Sequence, residues 1–162
     1  MPEFDTIVQQ LSVSQESKFR VKELFNLMKE WFNLHQYDFY ERDYKDVLEE
    51  TGKNIYIKWE TERKVDDYTR FHIEVRIEFK NLIEEKGKKD IVNKGSIRIR
   101  FKSFLEKDYE GNWEKNFFML FLRAVYNKFI AKSKFDEYGA ELKEETFDIY
   151  NQVRAFLKIH KV

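Results

Sequence analysis

The stretch FHIEVRIEF, residues 71–79, alternates apolar and polar side chains without a break. A period of two is the mark of a half-buried β-strand, so Phe71, Ile73, Val75, Ile77 and Phe79 are expected on a core face. His72, Glu74, Arg76 and Glu78 are then expected to face water. The flanking segments repeat the pattern. In NIYIKWETERKV, residues 54–65, Ile55, Ile57, Trp59, Thr61, Arg63 and Val65 share one face. In SIRIRFKSFL, residues 96–105, Ile97, Ile99, Phe101, Ser103 and Leu105 do the same. Three such strands in succession imply an antiparallel sheet with one face on a core and one in solvent.

Register follows from parity. A one-residue slip would turn every apolar side chain outward, so the loop after the first of these strands must have an odd length. A loop of Asp67, Tyr68 and Thr69 pairs Glu60 with Arg76 and Lys58 with Glu78, and a slip of two residues keeps the same parity. For the next hairpin, across a turn around EKGKKD (residues 85–90), Glu78 is set against Arg98 and Glu74 against Lys102. Opposite charges facing each other across strands are favourable.

Outward from this centre, Tyr37 to Val47 reads as an irregular strand with aromatic residues on both faces, and Thr51-Gly52 as a turn. Residues 4–12, FDTIVQQLS, read as a short strand or a lead-in. Ser12 and Ser14 are candidate helix N-caps, and Ser12 with Gln15 fits a capping box. A helix is therefore expected from there to about His35, with Val21, Leu24, Phe25, Met28, Trp31 and Phe32 on its apolar side. Gly111 and Asn112 break the last strand, and WEKNFFMLFLRAVYNKFIA, residues 113–131, reads as one helix. A final helix carries Tyr138, Leu142, Ile149, Val153 and Phe156 as a stripe, with Phe147, Tyr150 and Leu157 beside it. The expected architecture is a single α+β domain over residues 1–162. It has an antiparallel sheet of four or five strands, an N-terminal helix and two C-terminal helices packed on one face.

FFMLFL, residues 117–122, goes more than once around a helix with no polar residue, so periodicity does not choose its buried side. Phe117, Leu120 and Phe121 are the expected contacts with the sheet. Phe118 and Leu122 are then candidates to meet the last helix or a second subunit.

Composition supports one domain. The chain has 162 residues with 16 Phe, 9 Tyr and 3 Trp, enough aromatic mass for a core. It has no Cys, which excludes disulfides, zinc–thiolate sites and thiol catalysis. No signal-like N-terminus or spanning apolar run is visible, and the chain reads as soluble and cytoplasmic. Thirty basic residues balance thirty acidic ones, so no global field attracts nucleic acid or anionic lipid. The density of Lys and Glu, with one Pro, leans towards a thermophile or an AT-rich genome.

Chemistry-bearing motifs are absent. Asp108, Glu110, Asn112 and Glu114 mimic the start of a calcium loop, but Trp113 and Met119 stand where that loop needs Gly and a bidentate Glu. KGSIRIRF, residues 94–101, touches an RNA-binding ribonucleoprotein pattern, but Ser96 and Arg98 replace the stacking aromatics. Arg76, Arg98, Arg100 and Lys102 form an outward basic stripe beside Phe104 and Tyr56. Glu74 and Glu78 interrupt it, which argues for a solvated, salt-laced face and against nucleic acid as a partner. His35, His72 and His160 have no metal-ligand spacing. No cofactor, metal or catalytic residue is assigned.

One polar group stands out on the inner face. Arg63, Thr61 and Ser103 gather at one end of it and form the candidate ligand pocket, suited to an anionic or amphipathic small molecule. The leading expectation is a non-enzymatic binding or interaction protein that self-associates as a homo-oligomer. The alternatives are a small-ligand carrier or enzyme using the Arg63 pocket, and nucleic-acid binding on the outer sheet face.

WETERKVDDYTRFHIEVRI and FLEKDYEGNWEKNFFMLFLRAVYNKFI resemble segments of uncharacterised archaeal proteins over roughly residues 50–130. The resemblance implies no activity, ligand or site residue. The sheet with a long C-terminal helix is similar in organisation to helix-grip ligand-binding folds, with fewer strands than the full pattern.

Overall fold

A computed structural model of the chain describes residues 2–86, 91–111 and 117–159. Five strands form one antiparallel sheet: β1 (Glu3–Phe19), β2 (Asp38–Glu49), β3 (Gly52–Lys64), β4 (Thr69–Lys86) and β5 (Ile91–Lys107). Their spatial order is β1-β5-β4-β3-β2, so the first strand closes on the last while the others form a meander. Helix α1 (Val21–Leu34) lies between β1 and β2 in the chain, and α2 (Phe117–Val125), a π-helical turn (Tyr126–Ile130) and α3 (Lys132–Ile159) follow β5.

The odd-numbered side chains of β3, β4 and β5 form the core floor, as their alternation requires. Ile73, Ile77, Ile99 and Phe101 are almost wholly enclosed. On this floor lie α1, through Leu24, Met28, Trp31 and Phe32, and α3, through Leu142, Thr146, Ile149, Val153 and Leu157. The α3 set recurs at three- and four-residue spacing, which is one helix face. Phe147, expected beside that stripe, is 37% exposed.

Register is settled at the β3–β4 turn. Glu60 pairs with Glu74 and Thr61 with Ile73, the alternative two residues away from the pairing of Glu60 with Arg76. The loop is odd in length, as parity demands, but lies one residue earlier in the chain. Asp66 explains why: its Oδ1 accepts the N–H groups of Tyr68 (2.8 Å) and Thr69 (2.7 Å), closing an Asx-type turn. Between β4 and β5 the pairs Glu78–Arg98 and Glu74–Lys102 occur as expected. The tip of that turn, residues 87–90, lies outside the described residues.

The N-terminus corrects the sequence reading. Residues 12–19 continue β1 instead of opening a helix, and α1 begins at Val21 with Arg20 as a cap residue that makes no side-chain cap bond. Gln15 does not complete a capping box. Its Nε2 donates to the Leu157 carbonyl (3.0 Å) and to Ser17 (2.6 Å). Pairing with the open edge of β5 gives residues 12–19 a full ladder of backbone hydrogen bonds, which outweighs a local cap.

One corner bends the sheet. Asn81 adopts φ 55° at a register shift in β4, and the buried set changes parity there, from Phe79 to Leu82. Gly52 on one side has φ 138°, and a Cβ there would come within 2.7 Å of the Asn81 carbonyl carbon. On the other side a Cβ on Gly95 would meet the Lys80, Asn81 and Leu82 backbones at 3.0 Å. Two glycines thus let β3 and β5 press against the kink.

Candidate functional site

Arg63 projects from the inner face of β3, as its parity requires, and reaches α3. Its Nη1 donates to Glu145 Oε1 (2.8 Å) and to the His35 carbonyl (3.0 Å), and its Nη2 donates to Glu141 Oε1 (3.1 Å). The guanidinium lies 5.0 Å from the centre of the Tyr37 ring and 4.9 Å from that of Phe71. Tyr37 donates to the second oxygen of Glu145 (2.5 Å). Burial, reinforced by the negative charge of Glu145, pushes the Tyr37 hydroxyl far above its ordinary pKa, so it remains a donor. The inner-face cation is thus engaged by carboxylates, a carbonyl and two rings of its own chain.

The other two candidates lie deeper. Thr61 Oγ1 donates to the Ile73 carbonyl (2.9 Å). Ser103 is fully buried, and its hydroxyl has no hydrogen-bond partner among the described residues. Thr61, Ile73 and Ser103 share a row across the sheet. Arg63 stands two residues along from that row, opposite Phe71. The structure therefore places Thr61 and Ser103 on either side of Ile73, not in contact, and binds Arg63 to α3. A wider groove, about 890 Å³, opens at the far end of the inner face between α1 and the β3–β4 corner, with Phe25, Lys29, Ile55 and Phe79 among its walls.

The histidines are also occupied. His35 Nδ1 donates to the Trp31 carbonyl (2.8 Å), and the ring stacks on Trp31 at 3.9 Å. His72 faces outward, stacks on Phe104 at 4.8 Å and donates to Glu106 Oε2 (2.5 Å). His160 lies outside the described residues. Among the described residues no group of three or more His, Asp or Glu side chains is placed to hold a metal ion.

The least expected geometry belongs to α2. It does not lay Phe117, Leu120 and Phe121 on the sheet. Phe117 is 91% exposed, Phe118 66% and Phe121 64%, with Leu120 exposed beside them. Residues 117, 120, 121 and 124 follow three- and four-residue spacing, so they form one solvent-facing stripe, with Phe118 next to it. Leu122, paired with Phe118 in the sequence reading, is only half-exposed. Phe129, in the π-helical turn, is 71% exposed. The side turned inward carries Arg123, which is buried and ion-pairs with Glu3 (3.1 Å) and Asp108 (3.6 Å). Asp108 itself sits at φ 53°, just past the end of β5. The expected start of this helix, Trp113 to Asn116, lies outside the described residues.

Sequence reasoning missed Arg123. It is the one charged residue in α2 as described, and that was the available signal: a lone cation in a helix of apolar residues marks one side as different.

Comparison with family models, with curated proteins and with solved structures finds no match. Among the described residues no helix is long and apolar enough to cross a membrane.

Proposed function

We propose that this is a non-enzymatic binding protein that self-associates through α2. The observation behind this reading is the inversion of that helix, with its charge enclosed and its phenylalanines in water. Taking about 200 Å² for a fully exposed phenylalanine, the three exposed rings of α2 present roughly 440 Å² of apolar surface. That lies within the range of the largest patch on a typical monomer, about 300–600 Å², a size that is often functional. It is about half of the roughly 800 Å² per partner of a standard stable interface, before any neighbouring surface is counted. A second copy of the chain is the occupant that fits this area. The chain's zero net charge gives two copies no long-range repulsion to overcome.

The inward side of the helix supports the same reading. A buried Arg costs free energy unless it is paired, and here Arg123 donates to Glu3 (3.1 Å) and lies at ion-pair distance from Asp108 (3.6 Å). These ion pairs tie α2 to β1 and to the end of β5, so the apolar stripe is presented on a fixed support.

Light scattering coupled to size exclusion at micromolar concentration tests the proposal. The wild type is expected as a dimer or larger. Phe117→Glu with Phe121→Glu is expected as a monomer with an unchanged far-ultraviolet spectrum, since both side chains lie outside the core. A monomeric wild type overturns the reading, and so does a wild type that stays monomeric but binds anionic vesicles.

A further inference from the structure

We infer that the outer face of the sheet binds a single-stranded nucleic acid. The face has an ordered charge pattern. Lys58, Arg76 and Arg100 are directly opposite one another across β3, β4 and β5, three cations in one row. Like charges in facing positions work against sheet pairing. The row is tolerated because each cation leans along its own face to an acid: Lys58 to Glu60 (3.2 Å), Arg76 to Glu74 (2.7 Å) and Arg100 to Glu78 (3.9 Å).

Depth decides what a partner meets. On β4 and β5 the acids are recessed and the bases stand proud. The Glu74 and Glu78 side chains are 15% and 16% exposed, against 55% for Arg76, 57% for Lys80 and 38% for Arg100. The glutamates that break up the basic stripe in the sequence therefore lie beneath it in space. Arg98 and Lys102 flank the row on β5, are exposed, and form no ion pair among the described residues. Over β4 and β5 a polyanion approaching from solvent meets an excess of positive charge, although the chain as a whole is neutral; on β3 the order is reversed, with Glu60 40% and Lys58 27% exposed.

The shape and an exposed ring favour a single strand. Two hollows, of about 440 and 230 Å³, lie on either side of Arg76 and Arg100, which wall both. The larger is bounded by Tyr56, exposed on β3, whereas Tyr44 stands opposite Ile57 and belongs to the inner face. An exposed ring beside a track of cations suits an unstacked base, whose face can lie on Tyr56 while the phosphates follow the basic residues. A duplex keeps its bases stacked on each other and has no use for Tyr56.

The test is fluorescence anisotropy with labelled oligo(dT), a duplex of equal length and inorganic polyphosphate as competitor. Oligo(dT) is expected to bind at low salt. Its log affinity should fall against log salt with a slope of about −2 to −3, the value for three or four phosphate contacts on a single strand. Arg98→Gln with Lys102→Gln, which breaks no ion pair and sets no like charges opposite Glu78 and Glu74, is expected to weaken binding at least about tenfold. Tyr56→Ala is expected to weaken it about tenfold through lost stacking, with Tyr56→Phe close to wild type. The α2 variant Phe117→Glu with Phe121→Glu should bind as the wild type does per chain, so this outcome is independent of self-association. Absence of binding by the wild type at low salt overturns the inference. So does equal affinity for duplex and polyphosphate together with indifference to Tyr56→Ala, which would mark a non-specific basic surface.

Discussion

Arg63→Met measures whether the inner-face arginine holds the fold or is spare for a ligand. Methionine keeps most of the stem and removes the guanidinium. The main loss is the bond from Nη1 to Glu145, between side chains only 16% and 14% exposed. A charge-assisted bond of this kind is worth about 1.5–3 kcal/mol. Glu141 is half in water and adds at most about 0.5 kcal/mol. The ring contacts with Tyr37 and Phe71 add about 0.5–1 kcal/mol. The expected destabilisation is about 3 kcal/mol, roughly a hundredfold in the unfolding equilibrium constant. Urea unfolding at neutral pH reads it as a lower midpoint at constant slope. Glu145→Gln and the double variant complete a cycle whose coupling is expected near 2 kcal/mol. A loss below about 0.5 kcal/mol for Arg63→Met, or a coupling near zero, would refute the structural role and return the cation to the pool of ligand-binding groups.

Two further outcomes follow from buried polar groups. Burial opposes ionisation of Asp66, but Lys134, the Tyr68 and Thr69 N–H groups and the Tyr138 hydroxyl outweigh it and hold the carboxyl below its ordinary pKa. A depressed carboxyl contributes stability above its unfolded value, near 3.9, and loses it as pH falls through the folded value. Asp66→Asn should therefore cost about 1 kcal/mol at pH 7, allowing for partial exposure, with the gap to wild type closing below about pH 4 in urea titrations; a constant gap would contradict the assignment. Ser103→Ala removes a buried hydroxyl that has no partner among the described residues, and is expected to leave stability unchanged or raise it by up to about 1 kcal/mol by thermal unfolding. A clear loss would show that the hydroxyl is bonded.

The legible part of the fold is the part in which burial alternates. β3, β4 and β5 each present one face to a core and one to water, so parity could be read residue by residue over 55–65, 71–79 and 97–105, but not across the kink at Asn81. The two-residue ambiguity at the β3–β4 turn was invisible to parity, because both registers bury the same side chains. It is resolved by Asp66, whose side chain closes the turn one position early. The second half of β1 was illegible for a different reason. Ser12, Ser14 and Gln15 look like capping residues, and their strand state depends on β5, far along the chain. Of the candidate pocket, the inward direction of Arg63 was readable, but its partners were not: Glu141 and Glu145 are four residues apart on a helix that the sequence does not align with β3. In α2 the apolar residues encircle the helix, so no hydrophobic period exists to say which side is covered, and the ion pairs of Arg123 decide it.

The closure of β1 on β5 has a consequence for how the molecule is made. During synthesis the first strand leaves the ribosome long before its mate exists, whereas each of the other three pairings joins strands that are neighbours in the chain. Loop-closure entropy therefore falls most heavily on this one junction, and its formation should limit the folding rate. Until it forms, the exposed rim of β5 is a template that accepts the first strand of any nascent copy as readily as its own, and a crowded polysome is where such an exchange would begin.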